Sequence, residues 1–123
     1  MPAKPTFEMP IKGSDKTLTI KYDRLLYTRG HRAHIFALHR EHAKVPRKEW
    51  IVSDPVSGCR ILRVNASYKG MPISSADLTL KQARMLALAD LDALVDRVGL
   101  DKFERVLDEA HYRAQSKGEL NHA

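Results

Sequence analysis

Residues 17–40 read TLTIKYDRLLYTRGHRAHIFALHR, and this stretch decides the fold class. Apolar residues alternate with polar ones at its start: Leu18, Ile20 and Tyr22. This period of two is typical of a strand with one buried face, so a first strand is predicted over 17–27. Residues 28–30 supply a turn, and 32–39 are rich in residues that favour sheets, which predicts the return strand of a hairpin.

The histidines of this region leave a second interpretation open. They are spaced as HxxHxxxxHxxH: His31, His34, His39 and His42. A helix over 31–43 would bring all of them onto one arc, whereas a strand places His31 and His39 on one face and His34 and His42 on the other. Because four zinc ligands must converge, the strand interpretation leaves these residues as weak metal candidates. No metal or cofactor is predicted.

A second hairpin is predicted from Trp50–Ser53 and Cys59–Ala66. The connection between them reads DPVSG over residues 54–58. Asp at its start, Pro with its preset φ and Gly able to adopt positive φ are the requirements of a type I turn followed by a left-handed residue.

The period changes after Ser74, where two helices are predicted. Thr79 with Gln82 forms a capping box, and the apolar spacing continues to Gly99, which predicts a helix over about 80–98. Asp101 with Glu104 indicates a second capping box and a second helix over about 102–115.

A second apolar strip lies on the other side of the first predicted helix: Met85, Leu86, Ala89 and Ala93. Two apolar faces imply two neighbours. One interpretation places the sheet on one face and the second helix on the other. The alternative is a homodimer contact through this strip.

These elements predict one α+β domain in the 123 residues. An antiparallel sheet of three to four strands within residues 17–66 is covered by a carboxy-terminal hairpin of two helices. The flanking segments are an irregular arm over 1–16 and a loose tail over 116–123. The basic, β-rich half spans 17–71, and the helical half spans 72–115.

Charge is concentrated in the first half of the chain. Residues 1–71 hold 14 Lys/Arg against 6 Asp/Glu, and residues 72–123 hold 7 against 9. The segment 29–48 alone has six Lys/Arg and four His with one acid, Glu41. So many cations on one segment favour an anionic partner, either nucleic acid or an acidic protein surface.

A non-enzymatic nucleic-acid-binding protein, using a basic sheet face and a loop, is therefore the leading hypothesis. Its candidate binding residues are Arg29, Arg32, Arg40, Lys44, Arg47, Lys48, Arg60 and Arg63. The first alternative is a small inhibitor or adaptor, of the kind found in phages and mobile elements, that acts on a larger complex. The second is a nuclease in which histidines act as acid and base on a phosphodiester.

Catalytic motifs are not found in the sequence. Its glycines occur singly, so no glycine-rich phosphate loop is present, and neither GxSxG nor HExxH occurs. Cys59 is interpreted as a packing residue, and no catalytic residue is proposed. A single cysteine and an amino terminus without an apolar core predict a cytoplasmic protein with no membrane partner.

Two features resemble the DNA-binding domains, each a three-stranded sheet with a helix, of AP2-type factors and of the amino end of some integrases. They are the tryptophan-led hairpin, Trp50 to Val64, and the run of Thr79, Ala83 and Ala87 that enters a helix. The resemblance implies that the sheet would contact DNA. The connection from Ser67 to Leu78 is longer than in that pattern.

Overall fold

The computed structural model describes residues 3–11, 13–42, 46–68 and 71–121. Within them the chain forms an α+β fold, as predicted. Its elements are β1 Thr6–Pro10, β2 Thr17–Lys21, β3 Asp23–Arg29, β4 Arg32–Arg40, β5 Trp50–Ser53, β6 Arg60–Arg63, β7 Ala66–Tyr68, β8 Met71–Ile73, α1 Leu80–Val98 and α2 Leu100–Asn121. A 3-10 turn at Ser75–Asp77 precedes α1.

The central sheet has four antiparallel strands in the order β3-β4-β5-β6. Both predicted hairpins are present, and the helical alternative for 31–43 is wrong because residues 32–40 form β4. The register places Leu25 opposite Phe36 and Leu38 opposite Val52. These side chains are buried on one face of the sheet, where they form the floor of the main core.

The two helices cover this face. Ala87 and Leu91 of α1 and Phe103 of α2 are buried against the sheet. The ring of Phe103 lies 6.2 Å from that of Phe36, at the tilted angle that aromatic pairs prefer. Each helix therefore buries one apolar stripe, as its spacing predicts.

The opposite face of the sheet is partly covered by an amino-terminal hairpin. The irregular arm predicted over 1–16 contains β1, which pairs with β2 and buries Phe7 against Ile20 and Ala37. Thr17 and Thr19 donate hydrogen bonds to the Glu8 carboxylate across this hairpin, and they lower the pKa of that group. The predicted single strand over 17–27 is also divided, because the chain leaves β2 and enters β3 at Tyr22.

Gly58 joins the amino-terminal hairpin to the central sheet. Its φ of 77° confirms the left-handed residue that the DPVSG turn predicts. A Cβ atom at this position would lie 2.3 Å from the carbonyl oxygen of Glu8. Any larger residue would therefore clash with β1 as well as strain the turn.

Of the two capping boxes that the sequence predicts, the one at the start of α1 is present and the one at the start of α2 is not. The capping box of Thr79 and Gln82 is present. The second box is wrong: α2 begins at Leu100 directly after Gly99, and the N–H of Phe103 donates to the Gly99 carbonyl. Asp101 and Glu104 are thus already inside the helix, and Glu104 faces the sheet. The helix also continues to Asn121, beyond the predicted end at 115, so the predicted tail is helical up to that residue.

Two surface features complete the fold. β7, which begins one residue before the predicted Ser67 to Leu78 connection, pairs with β8 inside that connection. On α1, Met85 is 66% exposed, and Ala89 and Ala93 are exposed too, whereas Leu86 is half-buried and packs against the main core, so the second apolar strip is covered only in part. A dimer contact through this strip stays a prediction.

No helix in the described part of the chain is long and apolar enough to cross a membrane.

Candidate anion-binding cleft

Two of the predicted binding arginines connect the sheet to the helices. Arg29 at the end of β3 forms ion pairs with Asp92 and Asp96 of α1. Arg32 at the start of β4 pairs with Asp108, at 2.9 Å, and with Glu104 of α2, at 3.2 Å. The hydrogen bond from Arg32 lowers the pKa of the Asp108 carboxyl. Part of the charge difference between the two halves is therefore neutralised where the helices pack on the sheet.

The predicted cations on β6 have different surroundings. Arg63 forms ion pairs with Glu49, at 2.8 Å, and with Glu41, at 3.7 Å. Arg60 is exposed and lines a separate cleft with His39 and Cys59. Lys44 lies outside the described residues. The predicted continuous basic sheet face is therefore divided, because Arg32 and Arg40 project on the face that the helices cover.

Arg40 is held rigidly at the end of β4. Its guanidinium donates to the carbonyl oxygens of Lys48, at 2.9 Å, and Ala76, at 2.7 Å. The same group lies 4.0 Å above the centre of the Trp50 ring. These contacts fix the orientation of the side chain, and carbonyl groups and a ring do not cancel its charge as a carboxylate would. Nearby Arg47, by contrast, pairs with Asp77.

A group of cations converges around Arg40 to form what we call the basic cleft. Its positive or titratable residues are Lys4, Lys21, Arg40, His42 and Lys48, and its carboxylates are Asp23 and Glu41. Lys4 pairs with Asp23 at 3.2 Å, and Glu41 is engaged by Arg63. Within the described ranges neither Lys21 nor Lys48 has a carboxylate at ion-pair distance, and both are exposed.

The sequence interpretation included Arg40 and Lys48 but missed Lys4 and Lys21. Lys4 belongs to the arm that was predicted to be irregular, and Lys21 belongs to the strand predicted over 17–27. Pairing of β1 with β2 carries both lysines to the ends of β4 and β5. The alternation of Phe7 and Met9 with polar neighbours was the available signal for β1. The alternation does not indicate which part of the protein β1 packs against.

The histidines do not converge. His34 lies on the helix-covered face, where it stacks on Phe36 and faces Glu104, and His39 lies on the opposite face beside Phe7. This division confirms the strand interpretation. Among the described residues no group of three or more His, Cys, Asp or Glu could hold a metal ion.

His39 forms a buried pair with Ser53. Its Nδ1 lies 2.8 Å from the carbonyl oxygen of Arg40, so Nδ1 carries the proton, and Ser53 Oγ donates to Nε2 at 2.8 Å. A serine beside a histidine is also the arrangement of an activated nucleophile. Ser53 is fully buried, however, and no substrate could reach it. The pair is therefore structural.

Burial lowers the pKa of His39, and the charge of Arg60 adds to this effect. The unfolded chain, with its histidine near pKa 6.5, then binds a proton more readily than the folded protein does. Stability should be highest above about pH 6.5 and fall as the pH decreases below that value toward the folded pKa. We expect the melting temperature to fall more steeply between neutral and acidic pH in the wild type than in His39→Gln.

The comparison of the two pH profiles isolates His39, because both proteins share their other histidines. Parallel profiles for wild type and variant would contradict this assignment. Differential scanning calorimetry across the pH range makes the measurement.

No family model, curated protein or solved structure matches the chain. The resemblance to AP2-type and integrase domains thus has no support from these comparisons. The observed sheet also has four strands where that pattern has three. The geometry of the basic cleft is the basis for a functional assignment.

Proposed function

We propose that this protein binds nucleic acid without catalysis and that the basic cleft holds the phosphate backbone. The observation that carries the proposal is the convergence of Lys4, Lys21, Arg40 and Lys48 on one cleft from separate segments of the chain. Lys4 pairs with Asp23, but Lys21, Arg40 and Lys48 have no carboxylate at ion-pair distance among the described residues. Like charges repel, so an anion between these three groups is favourable.

The shape and charge of the cleft favour a nucleic-acid backbone as the ligand rather than a small molecule. Its volume of about 290 Å³ is slightly below the range of usual small-molecule sites. The cleft is polar and open, and Lys21 and Lys48 are free to follow a backbone that passes over it. Rigid Arg40 would supply a fixed positive charge between them.

Binding should depend strongly on salt. Three phosphates neutralised by Lys21, Arg40 and Lys48 give a slope of about −2.7 in log affinity against log salt, so affinity for a random-sequence duplex should fall about 40-fold between about 50 and 200 mM salt. Fluorescence anisotropy with labelled duplex DNA, single-stranded DNA and RNA measures this dependence. Absence of binding to all three would overturn the proposal and favour the inhibitor or adaptor that binds a protein.

The double variant Lys21→Gln, Lys48→Gln should bind more weakly and reduce the salt slope by about 2. Arg105→Gln, Arg113→Gln is the matched control, because it removes the same charge from exposed positions on α2. Equal weakening in both variants would show that net charge rather than the cleft is responsible. Thermal melting of each variant verifies that the fold is retained.

The same assay tests the nuclease alternative. Incubation of each labelled substrate with and without divalent metal should leave it intact if the protein only binds. Cleavage that is lost in the Lys21→Gln, Lys48→Gln variant would replace the binding proposal with an enzymatic one.

A further inference from the structure

Strand β3 is an open edge of the central sheet. Among the described residues it is hydrogen-bonded to β4 alone. Arg29 pairs with Arg32 across the two-residue turn, so residues 23, 25, 27 and 29 exchange hydrogen bonds with β4. The N–H and C=O groups of Arg24, Leu26 and Thr28 therefore point away from the sheet.

An apolar pair lies beside this edge. Leu26 is 61% exposed, and Ile35, its direct neighbour on β4, is 53% exposed. Both project on the face opposite the helices, outside the part that Phe7 covers. Two large aliphatic side chains next to each other at an unpaired edge form a surface that favours another strand.

We infer that two copies of this chain associate by antiparallel pairing of their β3 strands about a twofold axis at Leu26. In this register Leu26 faces Leu26 of the second copy, and Arg24 faces Thr28. The outward N–H and C=O groups of these three positions then bond across the interface. The two central sheets would join into one.

Side chains and charges are compatible with this register. On the open face, Leu26 and Ile35 of both copies form one row of four apolar residues. On the other face, Asp23 of each copy lies opposite Arg29 of the other. Both groups already have partners within their own chain, Lys4 for Asp23 and Asp92 and Asp96 for Arg29, so the register brings opposite charges together and adds no repulsion. When the two seven-residue β3 strands pair in this register, no residue faces a residue of like charge in the other copy.

The other edge of the sheet is less suited to pairing. Strand β6 has four residues, with an irregular register against β5 and an arginine at each end. Short, irregular and cationic edges are the common protection against association. By contrast, β3 has no proline, and its pairing with β4 is regular over its whole length.

Sedimentation equilibrium of the full chain tests the inference. The mass of the wild type should rise toward that of a dimer with concentration. Leu26→Lys should stay monomeric, because the two lysines would face each other at the twofold axis, and like charges directly opposite are unfavourable. Met85→Lys is the matched control, since Met85 is similarly exposed, at 66% against 61% for Leu26, but lies on α1. A monomeric wild type at every concentration would overturn the inference, and so would dissociation by Met85→Lys alone.

Hydrogen exchange identifies the contact. The amides of Arg24, Leu26 and Thr28 should exchange more slowly in the wild type than in Leu26→Lys. A wild-type dimer in which these amides exchange as fast as in the variant would place the contact elsewhere and exclude the β3 interface. Thermal melting of Leu26→Lys is expected to match the wild type at low concentration, because Leu26 is not part of the core.

Discussion

Replacing Phe36 by alanine is expected to lower the free energy of unfolding by about 3–5 kcal/mol. Phe36 is 1% exposed, and its ring lies within reach of Tyr27, His34 and Phe103. Truncation would leave a cavity between the sheet and α2 that these rings cannot fill without moving. Urea denaturation followed by circular dichroism measures the loss.

Ile35 provides the matched control for Phe36. It is the preceding residue of β4, and its side chain projects on the other face. In dilute protein, Ile35→Ala should cost less than about 0.5 kcal/mol, the usual range for surface substitutions. Similar losses for both variants would contradict the strand geometry, because neighbouring residues of a strand lie on opposite faces.

Replacing Asp54 by alanine should lower the free energy of unfolding by about 3 kcal/mol. The substitution leaves several hydrogen-bond partners of this buried carboxylate without an acceptor at once. The carboxylate accepts hydrogen bonds from Ser57 Oγ at 2.6 Å and from the N–H of Ser57 at 3.1 Å. It also lies 3.0 Å from His111 Nε2 of α2. The substitution would thus loosen the β5–β6 turn and remove a connection between that turn and α2.

Two further variants separate the local role of Asp54 from its tertiary role. His111→Ala removes only the contact with α2, and we expect a loss of about 1 kcal/mol. Ser57→Ala removes a hydroxyl donor within the turn and leaves the α2 contact in place. If His111→Ala were as costly as Asp54→Ala, the carboxylate would act mainly through the helix, and its role in the turn would be minor.

The hairpins and the start of α1 could be predicted from the sequence because their causes are local. The DPVSG turn, the sheet-favouring residues over 32–39 and the capping box of Thr79 each act within a few residues. Steric limits on φ and the alternation of side chains in a strand apply whatever packs nearby. The second capping box failed because Gly99 alone connects the two helices, which leaves Asp101 inside α2.

The basic cleft was predicted only in part. Arg40 and Lys48 belong to the segment whose charge was conspicuous, whereas Lys4 and Lys21 reach the cleft through pairing of β1 with β2. The alternation in a strand indicates which residues share a face, but it does not indicate which other strand the face meets.

By itself, the sequence determined an α+β chain with two antiparallel hairpins, a capped helix and an excess of positive charge in its first half. The tertiary structure decided how those charges are used. Arg29 is 67 residues from its partner Asp96, and Arg32 is 76 residues from Asp108, yet both pairs meet where the helices pack on the sheet. The physical reason is that Coulomb attraction depends on distance in space, and packing of the apolar faces sets that distance.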